Sequence, residues 1–425
     1  MKTLLKNLTI LTMKDKEPLF GDIGLDGKLI AFVGKDDSFQ AETVIDMKGK
    51  VALPGFVNGH THLAMTLLRN YKDTQPNLQA WLSEIFPIED KMDDRAIFAG
   101  ANLGIAELIK SGCTTYADMY FMAHQTIKAS LDAGIRSVQG LTFFGSGDDA
   151  RARIKERFPL MEKAASGSDL VRFDAAVHAI YTCTEECYKI GSEFARTTGG
   201  MLNTHLSETF QEVQDSLKAH GMSPVHYLNS LNIFSTPTYI AHGVHIMDDE
   251  FEVLKEHNVS IIHNPSSNLK LASGIAPIAR FREYGINVGL GTDGASSNNN
   301  LSMLKEANLA TLISTVTTKD PMRLTPFETL KMATIDGARA LGLENKIGTL
   351  EKGKEADITI LDLDRVNTTP INDPYSAIVY SADTSNVDTV YCQGRELLSK
   401  GKLKTIDEKK AIKEIKKECS RLYSL

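Results

Sequence analysis

Apolar positions along the chain fall into two patterns. Over residues 1–50 and again over 348–400 they form short runs, such as LLKNLTILTM, KLIAFVG, ADITILDLD and VDTVYCQG, punctuated by Gly, Asp and Lys. Such runs predict strands, and Asp26-Gly27 between two of them is a hairpin signal, because Gly accepts the positive φ that a tight turn requires. Between the two ends, apolar runs alternate with helix-length amphipathic stretches such as 98–110 and 209–219, the mark of repeated β-α units and a parallel sheet. Eight strands are expected: KVALPGFVNGHTH, GCTTYADM, IRSVQGLT, RFDAAVHAI, MLNTHLSE, TYIAHGVHI, VSIIHNPSSN and INVGLGTDG. Eight such units close into a (β/α)8 TIM barrel, so the fold class is α/β. The expected organisation is a barrel over 54–345, a small β-sandwich domain built from 1–53 and 346–405, and a charged helical tail over 406–425.

Composition narrows the partner. A chain of 425 residues accommodates one barrel of about 250 residues and a smaller unit. Its hydrophobic fraction of 42% and charged fraction of 24% are ordinary for a globular protein. A net charge of -7 without long blocks of one sign offers no footprint for nucleic acid or an anionic membrane, which leaves a small molecule as the partner. The N-terminal apolar stretch is interrupted by Lys6 and Asn7 and reads as a strand rather than an export signal, and no apolar run reaches the ~20 residues of a membrane-spanning helix. Cys113, Cys183, Cys187, Cys392 and Cys419 include no CxxC pair, which suits unpaired thiols in the cytoplasm. Such barrels are compatible with a homo-oligomer.

Candidate chemistry lies where the strands end. Parallel barrel strands are buried on both faces, so polar residues gather where each strand exits into its loop. Strand one ends in Asn58-Gly59-His60-Thr61-His62, and the two-residue step points both imidazoles to one side. Strand five ends in His205, strand six in His242 and strand eight in Asp293. A catalytic zinc takes nitrogen and oxygen ligands and keeps one position for a water that it acidifies. His60, His62, His205 and Asp293 supply that set, and the same donors are compatible with iron, manganese or nickel. Glu208, three residues beyond His205, stands where a general base can work. His242 reads either as a ligand or as a partner that orients the attacking oxygen, and the second role is favoured. Strand four ends in His178 and carries no lysine to bridge two metals, so a single ion per subunit is preferred and His178 is free to touch substrate.

The segments PGFVNGHTH, HLSE, AHG, HNPSSNLKLASG and GTDGASSNN, with the run Trp81–Glu89, resemble the amidohydrolase superfamily, and within it the 5-methylthioadenosine/S-adenosylhomocysteine deaminases. The resemblance spans nearly the whole chain. It implies that His60, His62, His205 and Asp293 bind the metal, that Glu208 shuttles a proton, and that His242 and Asp293 share in catalysis. It further implies that Glu89 holds the ribose hydroxyls, that Trp81 lines the nucleoside pocket, and that His178 and Ser297 contact substrate. The family often carries two arginines after strand three for the carboxylate of S-adenosylhomocysteine. Arg151 matches one, whereas Gln139 stands at the other, which can hydrogen-bond a carboxylate but cannot form the charged bidentate pair.

The implied reaction is hydrolytic deamination of a 5'-substituted adenosine: water adds at C6, Glu208 passes a proton to N1, Asp293 takes a second, and ammonia leaves. Rival readings on the same scaffold are aminohydrolases or chlorohydrolases acting on guanine, 8-oxoguanine, pterins or s-triazines. A different class, a non-catalytic barrel serving as a scaffold, sits poorly with a complete ligand set plus Glu208.

Overall fold

The computed structural model describes residues 1–423; Ser424 and Leu425, the last two residues of the predicted tail, lie outside the described residues. All eight expected barrel strands form, at Phe56–Thr61, Cys113–Met119, Arg136–Phe143, Val171–Val177, Leu202–Leu206, Thr238–His242, Ser260–His263 and Val288–Leu290. They hydrogen-bond in sequence order, each parallel to the next. Strand alternation sorts their side chains. Val57, Ala117, Val138, Tyr239 and Ile262 meet in the barrel interior, where Ala338 and Leu341 close the floor. Phe56, Tyr116, Leu141 and Phe143 belong to the larger core that also takes in the surrounding helices.

The join between the first and eighth strands is made largely by one side chain. Asn58, fully buried, donates from Nδ2 to Thr292 Oγ1 at 2.7 Å and accepts the Thr292 N–H at Oδ1 at 3.0 Å. The Asp293 N–H then donates to the His60 carbonyl at 2.9 Å. These bonds hold the strand ends that carry His60 and Asp293 side by side.

The segment read as one strand, KVALPGFVNGHTH, is two. Lys50–Pro54 pairs antiparallel with Ile358–Asp362 in the sheet of the chain ends, and Phe56–Thr61 opens the barrel. Gly55 makes the transition, and a Cβ there would stand 2.2 Å from the Thr114 side chain. An unbroken apolar run carries no signal that it changes sheets.

Both chain ends build the separate, largely antiparallel β unit. Its nine strands are joined by hydrogen bonds, with Lys2–Ile10 pairing along its first half with Thr43–Asp46 and along its second with Lys50–Pro54, and Leu29 at the far strand bridging back to Glu355. Leu5, Ile10, Ile23, Leu25, Ile358 and Ile360 form its own core. The expected hairpin is present, with Gly27 at φ 57° and Asp26 opposite Leu29.

Helix Glu408–Tyr423 buries Ile415 and Leu422 with Leu67, Leu68 and Ile97. Cys419 Sγ donates to the Leu67 carbonyl at 3.4 Å, and the Tyr423 hydroxyl donates to the same oxygen. Leu67 lies in the turn Leu63–Leu68 that directly follows His62, so this helix braces the segment behind the first histidine pair. Among the described residues no helix is long and apolar enough to cross a membrane.

Candidate active site and metal centre

The four proposed ligands, His60, His62, His205 and Asp293, converge within a few ångströms at the C-terminal ends of the barrel strands. His205 Nε2 lies 3.1 Å from both His60 Nε2 and His62 Nε2. Asp293 Oδ1 lies 3.2 Å from His62 Nε2 and 3.6 Å from His60 Nε2. The other ring nitrogens are committed: His62 Nδ1 donates to the Met119 carbonyl at 2.6 Å and His205 Nδ1 to the His178 carbonyl at 2.8 Å. A carbonyl only accepts, so these bonds fix the tautomers and turn the Nε2 lone pairs towards one another. Asp293 is itself held by Ser267 Oγ at 2.6 Å and the Gly294 N–H at 2.7 Å.

This donor set fits a metal ion. Ligand atoms bonded to one ion at about 2.0–2.1 Å stand roughly 3–4 Å apart, close to the separations seen. Burial lowers His60 and His205 well below the usual imidazole range, so both rings are neutral donors. Burial also works against a charged His62, but the hydrogen bond and charge of Asp293 outweigh it and hold the ring up at about 9. Asp293 in turn is held well below the usual carboxylate range against the cost of burial. The pair therefore demands one positive charge, which a proton on His62 supplies in the bare protein and a bound cation supplies in its place. Within the cluster, His60, His205 and His242 form a second, overlapping group of ligand atoms. His242 Nε2, however, lies 4.0 Å from Asp293 Oδ2 and 4.0 Å from Glu208 Oε2, between the carboxylates rather than among the nearest donors.

Glu208 and His242 stand beside the donor cluster. Glu208 is fully buried, which raises its pKa, and accepts from Ser273 Oγ at 3.1 Å. His242 Nδ1 donates to Asn268 Oδ1 at 2.7 Å, leaving Nε2 facing the cavity. Three residues at these strand ends take left-handed backbone conformations that side chains disfavour: Ser207 at φ 51°, His242 at φ 76° and Asp293 at φ 60°. Each costs on the order of 1–2 kcal/mol, a strain characteristic of functional sites.

Above the cluster opens a cavity of about 620 Å³ that includes its solvent-filled mouth. Trp81, Glu89, His178 and Ser297 all line it, with Glu208, His242 and Asp293. Trp81 and Glu89 lie on helix Leu78–Glu89, capped at its start by Asn77. The indole Nε1 of Trp81 is buried without a hydrogen-bond partner. Glu89 accepts from the Tyr120 hydroxyl at 2.5 Å, and burial raises its pKa. His178 stacks on Phe144 at 4.3 Å between ring centres, and burial drives it down to about 3, so it presents a neutral ring. Ser297 donates to the Gly294 carbonyl at 3.1 Å, beside Asp293.

Two expected substrate contacts lie elsewhere. Gln139 points out of the barrel, because Val138, Gly140 and Thr142 hold the inward positions of its strand; its Nε2 donates to Tyr116 Oη at 3.2 Å in the helix-facing core. Arg151 is on the solvent side of helix Gly147–Ala165, bonded to Asp148 at 3.0 Å and to Glu186 at 2.5 Å. Two residues on a helix are about 200° apart, so Arg153 takes the inner face instead. Its guanidinium lies 5.7 Å from the Phe144 ring centre and lines, with Arg157, a second cavity adjoining the first at Glu89, Tyr120, Phe121 and Thr142. The aromatic walls Tyr120, Phe121, Phe144 and Tyr181 were missed in the sequence, although the first three directly follow strands two and three, the position that marked the histidines.

Residues 51–397 match the Amidohydrolase family. A protein of Thermoanaerobacter pseudethanolicus named 5-methylthioadenosine/S-adenosylhomocysteine deaminase is 39% identical over 99% of this chain and 99% of its own. A 5'-deoxyadenosine deaminase of Methanosphaera stadtmanae is 42% identical over 99% of this chain and 98% of its own. Among solved structures, an adenosine deaminase from Xanthomonas campestris with bound zinc superposes with a TM-score of 0.94 at 28% identity, covering 100% of this chain and 99% of that one. With barrel, donor cluster and full-length similarity in agreement, the chain belongs to the amidohydrolase family.

Proposed function

We propose that this enzyme hydrolytically deaminates a 5'-substituted adenosine (5'-methylthioadenosine, S-adenosylhomocysteine, 5'-deoxyadenosine or adenosine) to the inosine analogue and ammonia, with one zinc ion per chain held by His60, His62, His205 and Asp293. The observation that carries the reading is the pairing of buried Glu208 and His242 at 4.0 Å, beside the donor cluster and in the same cavity as Trp81 and Glu89. The full-length relatives named as deaminases of such nucleosides support the substrate class.

When bound, the metal supplies positive charge and a water of lowered pKa. The chain's own residues do the rest. Glu208, whose proton affinity burial raises, takes a proton from the attacking water and delivers it to N1. His242, fixed as the Nδ1–H tautomer by Asn268, orients the attacking oxygen through Nε2. Asp293, braced by Ser267 and Gly294, receives the second proton. Trp81 and the Phe144–His178 stack wall the base, and the Glu89 oxygen not engaged by Tyr120 is available to the ribose hydroxyls. We assign this chemistry to the barrel over 54–345, read the unpaired thiols as the mark of a cytoplasmic enzyme, and take a small nucleoside as its partner.

A spectrophotometric panel of methylthioadenosine, S-adenosylhomocysteine, 5'-deoxyadenosine, adenosine and guanine tests the substrate. Preference for the free base would overturn the nucleoside reading. Glu208→Gln is expected to abolish turnover with metal still bound, and retained activity would remove Glu208 from its role. Metal analysis of protein purified without added metal tests zinc against iron, manganese and nickel.

A further inference from the structure

The turn that presents Glu208 is organised by a second buried carboxylate. Glu212 accepts the Ser207 N–H at Oε1 at 3.0 Å and the Glu208 N–H at Oε2 at 2.8 Å. Both oxygens are thereby used on consecutive amides, and the residue is 5% exposed. Successive N–H groups that point the same way form a concave anion site, and the left-handed Ser207 at φ 51° turns these two together. The carboxyl group that fills the concavity comes from the chain itself, with burial raising its pKa to about 7 against the lowering effect of the two amides.

The same turn also anchors strand six. The Leu206 carbonyl accepts the Gly243 N–H at 3.1 Å, and the Ser207 carbonyl accepts the N–H groups of Val244 and His245 at 2.9 Å each. His242 precedes these residues. One carboxylate thus holds the backbone on which both Glu208 and the segment after His242 depend. An ordinary helix-start glutamate would satisfy the amide of the capping residue, here Thr209. Glu212 instead reaches past it to residues 207 and 208, while Thr209 Oγ1 caps the helix by accepting the Glu212 N–H at 3.1 Å.

We propose that Glu212 is a positioning residue for the deamination, acting by clamping the Ser207 and Glu208 amides so that the Glu208 carboxylate and the strand-six end keep their mutual placement. This rests on Glu208 as the proton carrier. A side chain that holds a proton-transfer group in place affects the chemical step more than binding, and a misplacement of about 1 Å costs roughly 100-fold. Glutamine at 212 keeps the size but offers only one acceptor oxygen, so it sets its NH2 against one of the two amides.

The experiment compares Glu212→Gln, Glu212→Asp, Thr209→Ala and Glu208→Gln in the full chain, reading kcat, KM, metal content and melting temperature. Glu212→Gln is expected to lower kcat about 10- to 100-fold with KM and metal content unchanged, and Glu212→Asp, which keeps both acceptors, to restore part of the loss. Thr209→Ala is expected to lower the melting temperature with kcat unchanged, separating helix capping from positioning. Wild-type kcat in Glu212→Gln, or a kcat loss in Thr209→Ala as large as that in Glu212→Gln, would overturn the proposal. If Glu212→Gln does not accumulate as folded protein, Glu212→Asp carries the test by its kcat-to-KM split against Thr209→Ala. An active Glu208→Gln would instead overturn the underlying reading of Glu208.

Discussion

Tyr120→Phe isolates the contribution of a single hydrogen bond to substrate binding. The Tyr120 hydroxyl donates to Glu89 Oε1 at 2.5 Å, and both residues are buried at the boundary between the two adjoining cavities. A hydrogen bond to a charged group is worth about 1.5–3 kcal/mol, and the phenyl ring leaves the carboxylate oxygen without that donor. Burial already raises the pKa of Glu89 and the Tyr120 bond opposes it, so removing the bond moves the pKa further up. The carboxyl then protonates at a higher pH than in the wild type and, on the role proposed for Glu89, loses acceptor strength towards the ribose hydroxyls. At about 1.4 kcal/mol per tenfold, KM rises roughly 10- to 100-fold. Its increase on acidification sets in at a higher pH. Turnover falls far less, since the hydroxyl bonds Glu89 and Met92 rather than Glu208, His242 or Asp293. Initial rates from the loss of adenine absorbance, taken with 5'-deoxyadenosine across a pH series, measure both parameters. An unchanged KM with an unmoved pH curve would refute the role of Glu89, and a loss confined to kcat would place Tyr120 in the chemistry instead.

Two further outcomes follow from the geometry. Arg151→Gln is expected to leave kinetics unchanged, because Arg151 pairs with Asp148 and Glu186 on the surface, whereas Arg153→Gln is expected to raise KM for a nucleoside whose 5' tail carries a carboxylate and to spare 5'-deoxyadenosine; equal effects in both assays would refute the placement. Asp118, buried while accepting the Leu63 N–H at 2.7 Å and the Thr61 hydroxyl at 2.9 Å, is pushed by burial from 3.8 up to about 6. Its raised value means that the folded state holds the proton more tightly, so this contribution to stability is present below pH 3.8 and is lost as pH rises to about 6, by roughly 3 kcal/mol. Asp118→Asn flattens that dependence in thermal melts of chelator-treated protein, and an unchanged slope would contradict it.

The barrel and its ligands were legible because two periodicities coincided: the eight apolar runs marked strands, and the histidines and Asp293 stood where those runs broke into polar loops. Gly55 was not legible as a boundary, since the apolar run continues across it while the hydrogen-bond partner changes from Ile358–Asp362 to Cys113–Met119. Gln139 and Arg151 were misplaced for a different reason. Their positions relative to the strand and helix were read correctly, but the face was not, and the alternation of Val138, Gly140 and Thr142 held that information. Glu212, Asn268 and Ser273 carry no local signal of their roles. Asn268 and Ser273 act on groups brought near only by the closed fold, across 26 and 65 residues, whereas Glu212, 4 residues from Glu208, looks in the sequence like ordinary helix capping.

The Asn58–Thr292 join spans 234 residues of sequence, the full circuit of the barrel. His60 and His62 follow Asn58 directly, and Asp293 follows Thr292, so the cage for the cation and the closure of the barrel are completed by the same encounter. A polypeptide folded only through its seventh strand carries imidazoles but lacks the carboxylate that neutralises the charge. Long-range pairing of this kind is the slow part of assembly, because loop entropy is lost before the contact is gained. A cation held by all four residues would bridge the two ends of the barrel and stabilise the ring as a whole rather than any one strand.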